Sequence, residues 1–120
     1  MTEWYEGDVI ANGVRLHYHR TGGDKPALVM AHGVADMGIA YSRVARALEG
    51  DYDVIMYDRR GHGLSAKPET GYTWQVHAAD LVALIAALGL ERPRVIGHSG
   101  GAAAAMRVAL LRALRRLRLC

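Results

Sequence analysis

Two short runs, Ala27-Leu28-Val29-Met30-Ala31 and Val54-Ile55-Met56-Tyr57, constrain the fold of this chain more than any other feature. Neither alternates apolar with polar residues, so a strand built from either has no wet face and must be covered on both sides. Two layers of helix are needed, and segments with helical spacing lie between the strands to supply them. Tyr41, Val44, Ala45 and Leu48 predict a helix over about residues 39–48, with Gly50 as its C-terminal cap. Val76, Ala79, Val82, Ala83 and Ala86 predict a second, which Thr73 can cap and Gly89 can stop. Strands and helices in alternation are the pattern of an α/β layered fold.

Ahead of the first run, Asn12-Gly13 is a strong two-residue turn signal between a strand over residues 8–11 and another over 14–20. In the second strand Val14, Leu16 and Tyr18 share one face, and Arg15, His17 and His19 the other. His17 and His19 could hold a metal together, but no Asp, Glu or Cys joins them at a recognisable ligand spacing. They are therefore expected to be solvent-exposed, with no metal site, and His77 on the second helix is expected to be equally unengaged.

The last short strand, Arg94-Val95-Ile96, runs straight into Gly97-His98-Ser99-Gly100-Gly101 and then an alanine-rich stretch. A nucleophilic serine must project clear of its neighbours, and a sharp strand-to-helix turn achieves this. Such a turn crowds the positions two before and two after the serine, where Gly97 and Gly101 stand. It also aims the first N–H groups of the following helix at the space beside Ser99, with Gly100 N–H as the natural first oxyanion donor.

These motifs resemble those of the α/β-hydrolase superfamily, and the resemblance extends to about Ala105. His32-Gly33-Val34 is similar to the family's HG-x oxyanion segment, which implies Val34 N–H as the second oxyanion donor. Tyr57-Asp58-Arg59-Arg60-Gly61-His62-Gly63-Leu64-Ser65 resembles the D-x-R-G-x-G-x-S loop after the fourth strand, where Asp58, Arg59 and His62 are expected to be structural. Gly97 to Gly101 resembles the nucleophile turn. Three motifs in order, each at the carboxyl end of an expected strand, lie where open α/β sheets bind ligands. Within the family the chain looks most like the small esterases, lactonases and cofactor-free haloperoxidases. Dehalogenases and epoxide hydrolases carry aspartate at the nucleophile position, whereas Ser99 implies ester-type acyl transfer. A dinucleotide fingerprint could also be read in Gly61-His62-Gly63-Leu64-Ser65-Ala66, but Lys67-Pro68 follows where a helix would have to open.

The expected fold is thus a truncated α/β-hydrolase-like sheet of about five strands, mostly parallel after an N-terminal hairpin, with flanking helices in a single domain over residues 1–120. The family's acid and histidine follow the nucleophile in chain order, yet the 21 residues after Ser99 contain no Asp, Glu or His. The candidate improvised bases are His32 and His98. Five of the 15 basic residues fall after Met106 and all 12 acidic ones before it, so the net charge of +3 belongs to the tail and gives no reason to expect nucleic-acid binding. There Met106, Leu110, Ala113, Leu114 and Leu117 are expected to form the apolar face of an arginine-rich helix, packed on its sheet rather than on a membrane surface. The start of the chain resembles no secretory signal and Cys120 is the single cysteine, so a cytoplasmic protein without an intrachain disulfide is expected. The functional expectation is a serine hydrolase of small carboxylic esters, needing no cofactor. It is expected to self-associate through an exposed sheet edge or the C-terminal helix. The competing expectation is a non-catalytic fold fragment that serves as an interaction module.

Overall fold

The computed structural model describes residues 4–33 and 36–116, with side chains up to residue 109. Strand β1 (Tyr5–Ala11) and strand β2 (Val14–Arg20) form the expected hairpin. Asn12 and Gly13 have φ of 52° and 77°, the left-handed pair that a two-residue turn with the twist of the strands requires. Next come β3 (Ala27–Ala31), α1 (Ser42–Leu48), β4 (Asp53–Tyr57), α2 (Trp74–Ala87), β5 (Arg94–Gly97) and α3 (Gly100–Arg116). The sheet order is β1-β2-β4-β3-β5. The hairpin joins β4 antiparallel, and β4, β3 and β5 are mutually parallel, as the sequence led us to expect.

The two apolar runs are covered on both faces. Val29, Ala31, Ile55 and Tyr57 point to one side, where they pack with Ala78, Leu81, Leu84 and Ile85 of α2 and Val108 of α3. Leu28, Met30, Val54 and Met56 point to the other and meet Ala45 of α1, with Tyr41, Leu48, Tyr52 and Trp4 around it. Strand alternation thus divides one apolar run between two cores.

Three local expectations are corrected. The helix expected from residue 39 opens as a tight 3₁₀ turn over Gly38–Tyr41 and becomes α-helical only at Ser42. A Cβ on Gly38 would lie 2.7 Å from the Met56 carbonyl oxygen, so the chain is pressed against β4 before it can begin a regular turn. The cap of α1 is Glu49 in a right-handed conformation, with its N–H on Ala45 C=O, and Gly50 supplies no left-handed residue. Gly89 does, at φ 65°, and Thr73 Oγ1 accepts from Val76 N–H at 3.2 Å at the start of α2. In α3, Met106 is 72% exposed, while Gly101, Ala104 and Val108 are buried. The helix docks through its smallest residues because its first turn is pressed against the sheet. The side chains of Leu110, Ala113 and Leu114 and the whole of Leu117 and Cys120 lie outside the described residues. Among the described residues no helix is long and apolar enough to cross a membrane.

A buried ion pair ties these layers together. Arg60 Nε donates to Asp80 Oδ2 at 2.6 Å and Arg60 Nη2 to Asp80 Oδ1 at 2.9 Å, while Asn12 Nδ2 reaches the same carboxylate at 3.0 Å. The loop after β4, helix α2 and the hairpin turn thus converge on one side chain. Asp80→Ala strands a buried guanidinium and is expected to destabilise the protein by about 3–5 kcal/mol. The double change Arg60→Met with Asp80→Leu is expected to lose much less, as read from urea-unfolding midpoints.

Candidate active site

Ser99 sits between the last residue of β5 and the first of α3, with its φ at 53°. The left-handed region is sterically costly for a residue with a Cβ, and its occupation here is imposed by the neighbouring glycines. A Cβ on Gly97 would lie 2.5 Å from Ala102 Cα, and one on Gly101 would collide with the Ala31 and His32 carbonyls. Only bare backbone allows α3 to start this close to β3. The turn is closed by His98 N–H to Ala31 C=O at 3.0 Å, Gly101 N–H to His98 C=O at 2.9 Å and Ala102 N–H to Ser99 C=O at 3.0 Å. Gly100 N–H, at the first helical position, has no acceptor within the helix.

The outcome is an exposed Ser99 on a buried backbone, since Gly100 and Gly101 are both buried. Gly33 lies directly opposite: a Cβ there would be 3.4 Å from Ser99 Cβ and 3.3 Å from His98 Nδ1. The HG segment and the Gly97–Gly101 turn are therefore brought together. Val34, expected as the second oxyanion donor, lies outside the described residues.

The two candidate bases differ sharply. His32 is fully buried, its Nδ1 on Gly33 C=O at 2.7 Å and its Nε2 accepting from Arg59 N–H at 2.8 Å. A ring that donates through one nitrogen and accepts through the other is neutral, and here neither nitrogen is left for Ser99. Burial pushes its pKa down, and the charge of Arg59 adds to the effect. His98 is exposed, with its ring 6.3 Å from that of Tyr41. Among the described residues, none hydrogen-bonds the Ser99 hydroxyl.

The loop after β4 frames the site from below. Asp58 accepts from Gly38 N–H at 2.7 Å and Leu64 N–H at 3.0 Å, and Ser65 Oγ donates to Asp58 C=O at 2.6 Å while accepting from His17 N–H at 2.7 Å. The Asp58 carboxylate is thereby committed to holding backbone. Arg59 is a different matter. Its side chain is buried with all three guanidinium nitrogens lacking a partner among the described residues, and it lies beside Gly100 and 5.8 Å from the Trp74 ring. A buried cation at the first turn of a helix adds to the positive field that the helix end already directs towards Ser99. An anionic oxygen formed there would be stabilised by both. His77 lies under Tyr72 and Trp74 and is buried, not merely unengaged; burial, with the Arg59 charge behind it, pushes its pKa down to about 4.

The hairpin histidines also correct the sequence reading. His17 is 7% exposed and bonded at both ring nitrogens, Nδ1 to Asp8 Oδ1 at 2.9 Å and Nε2 to Glu6 Oε1 at 2.7 Å. His19 is half-buried, with Nε2 3.5 Å from Glu6 Oε1. The signal lay in the turn. A two-residue loop at 12–13 pairs residues whose numbers sum to 25, which sets Glu6 opposite His19 and Asp8 opposite His17. It was hidden because β1 begins at Tyr5, three residues before its expected start.

A family model of the alpha/beta hydrolase fold matches residues 26–115. The chain belongs to the alpha/beta hydrolase fold family. Among curated proteins it is 42% identical over 104 residues to an N-formylmaleamate deformylase of Pseudomonas putida, a match that covers 86% of this chain and 39% of that one. A soluble epoxide hydrolase of Corynebacterium sp. is 36% identical over 104 residues, covering 87% of this chain and 36% of the relative. Among solved structures, an epoxide hydrolase of Vigna radiata superposes with a TM-score of 0.87 at 28% identity, over 92% of this chain and 37% of that one. The chain therefore spans a little over a third of the length of the relatives it matches.

Two predictions test the geometry. Gly101→Ala forces a methyl into the β3 backbone and is expected to destabilise by about 1–3 kcal/mol or more. Gly50→Ala, with nothing within 4 Å of its added Cβ, is expected to be neutral or slightly stabilising in the same chemical denaturation assay. The second concerns pH. His77 has a folded-state pKa below its ordinary 6.5, so the stability it gains by remaining neutral is complete above about pH 6.5 and is lost as the pH falls towards about 4. His77→Gln is expected to flatten the melting temperature over that window.

Proposed function

We propose that Ser99 is the nucleophile of an acyl-transfer hydrolase acting on small carboxylic esters. The observation that carries this reading is the serine itself, exposed on a strained turn at a helix start. Its hydroxyl oxygen attacks the acyl carbon, the C–O bond to the alcohol breaks, and the serine proton leaves with the alkoxide as alcohol. Water then attacks the acyl-enzyme, releasing the carboxylic acid and restoring the hydroxyl. Gly100 N–H, with the Arg59 charge beside it, and Val34 N–H are the proposed donors to the oxyanion.

The relatives divide on this point: one is a deformylase and others are epoxide hydrolases. Serine at position 99 favours the acyl chemistry. His98, exposed beside the turn, is the candidate base within the described residues, with His32 already committed at both nitrogens. Among the described residues no base is aligned with Ser99, so what this chain supplies is the oxyanion donors and the fixed turn. In serine proteases stripped of their triad these retain roughly 10³–10⁴-fold acceleration over water. Slow cleavage of activated short-chain esters is the expected activity.

Treatment with a fluorophosphonate, followed by peptide mass spectrometry, is expected to place one adduct on Ser99. Labelling is expected to disappear on prior denaturation and to slow in Arg59→Met. An unlabelled Ser99 in protein shown to be folded would overturn the enzyme reading and favour a non-catalytic interaction module.

A further inference from the structure

We propose that Glu6, His17 and His19 form a three-ligand site for a divalent transition metal of the zinc class on the β1–β2 hairpin. One donor atom from each residue, a carboxylate oxygen and two imidazole nitrogens, lies within 4.8 Å of the others. Around a tetrahedral ion with bonds of about 2.0–2.1 Å, donors sit about 3.3 Å apart. Glu6 Oε1 is already 2.7 Å from His17 Nε2 and 3.5 Å from His19 Nε2, on either side of that value. Small side-chain rotations suffice to close the set.

The surroundings are those of a ligand set rather than of a surface cluster. His17 Nδ1 is held by Asp8 Oδ1 at 2.9 Å, and Arg15 Nη1 donates to the same oxygen at 3.0 Å. A carboxylate behind the ring fixes the imidazole with Nε2 facing Glu6, the arrangement that orients metal-binding histidines. The two rings stand edge to face, with centroids 5.3 Å apart and planes at 80°, so both can direct a nitrogen to a common point. His19 is otherwise poorly satisfied: its Nδ1 is buried without a partner, and Nε2 has only the long contact to Glu6. The Glu6 side chain is half exposed, at 52%, which leaves the cluster reachable from solvent.

Two nitrogens and one oxygen select the metal class. Calcium and magnesium require mainly oxygen ligands, whereas imidazole suits zinc, copper and nickel. The consequence is mechanical. Strand β1 is the edge of the sheet, on the far side of the sheet order from β5 and Ser99. An ion bonded to Glu6 on β1 and to both histidines on β2 would pin that edge strand to its neighbour without touching the esterase chemistry.

The test is isothermal titration of the full chain with zinc chloride, free of any oligohistidine tag and carrying Cys120→Ser to remove the thiol. One equivalent is expected to bind and to raise the melting temperature, with no comparable response to calcium or magnesium. Glu6→Gln and His19→Gln, both at partly exposed positions, are expected to weaken binding at least tenfold while leaving the circular dichroism spectrum unchanged. Asp8→Asn is expected to weaken it by about 10–100-fold through the orientation of His17. Undiminished binding in both Glu6→Gln and His19→Gln would overturn the site, as would absence of binding in folded protein at micromolar zinc. Neither result depends on whether Ser99 reacts with esters.

Discussion

The contact on which the rest of the site depends is that of Gly101 with the carbonyls of Ala31 and His32, where no side-chain atom fits between helix and strand. This approach fixes where α3 begins relative to β3. The start of α3 in turn drives Ser99 into the left-handed region, with its Cβ facing Gly33. It also decides which face of α3 is buried, because a helix whose first turn touches the sheet through Gly101 continues to touch its neighbours through Ala104 and Val108. Packing at one residue thus sets the geometry of Ser99 and of the helix that follows it.

Around that contact the charged groups are divided between two tasks. Asp58 and the Arg60–Asp80 pair are spent on structure: one holds the loop after β4 to the 3₁₀ turn, the other joins loop, helix and hairpin. Arg59, one position along from each, has no counter-ion among the described residues and faces the start of α3. Burial, with the Arg59 charge added to it, depresses the pKa of both His32 and His77, so these two buried imidazoles are kept neutral, while His98 in the turn itself is exposed.

The hairpin is governed by different physics. Its register follows from the Asn12-Gly13 turn, which leaves no freedom in what faces what once the turn forms. Cross-strand neighbours then place Glu6 and Asp8 against His17 and His19, and the carboxylates outweigh burial in the balance that raises the His17 pKa. The two histidines are therefore part of a polar cluster on the sheet, not solvent-facing side chains.

The sequence by itself determined the layered architecture, since Ala27–Ala31 and Val54–Tyr57 have no polar face to leave uncovered. It also determined the hairpin turn, and it marked Gly97 and Gly101 as positions without room for a side chain, because turn chemistry and strand patterning are local properties that tertiary packing rarely reverses. What only the tertiary structure decided were the relations between elements. The sequence could nominate His32 as a base, but only packing against Arg59 and Gly33 commits both of its nitrogens. Sequence could give α3 an apolar stripe through Met106, but only the close approach to β3 turns Met106 outward and the small residues in. It could name two histidines on one face of β2, but only the pairing of β1 from Tyr5 brings Glu6 to them. In the first two cases the deciding contacts, Arg59 on His32 and Gly101 on the carbonyls of Ala31 and His32, join residues far apart in the chain, and no local pattern records them; in the third the turn set the register and only the extent of β1 was hidden.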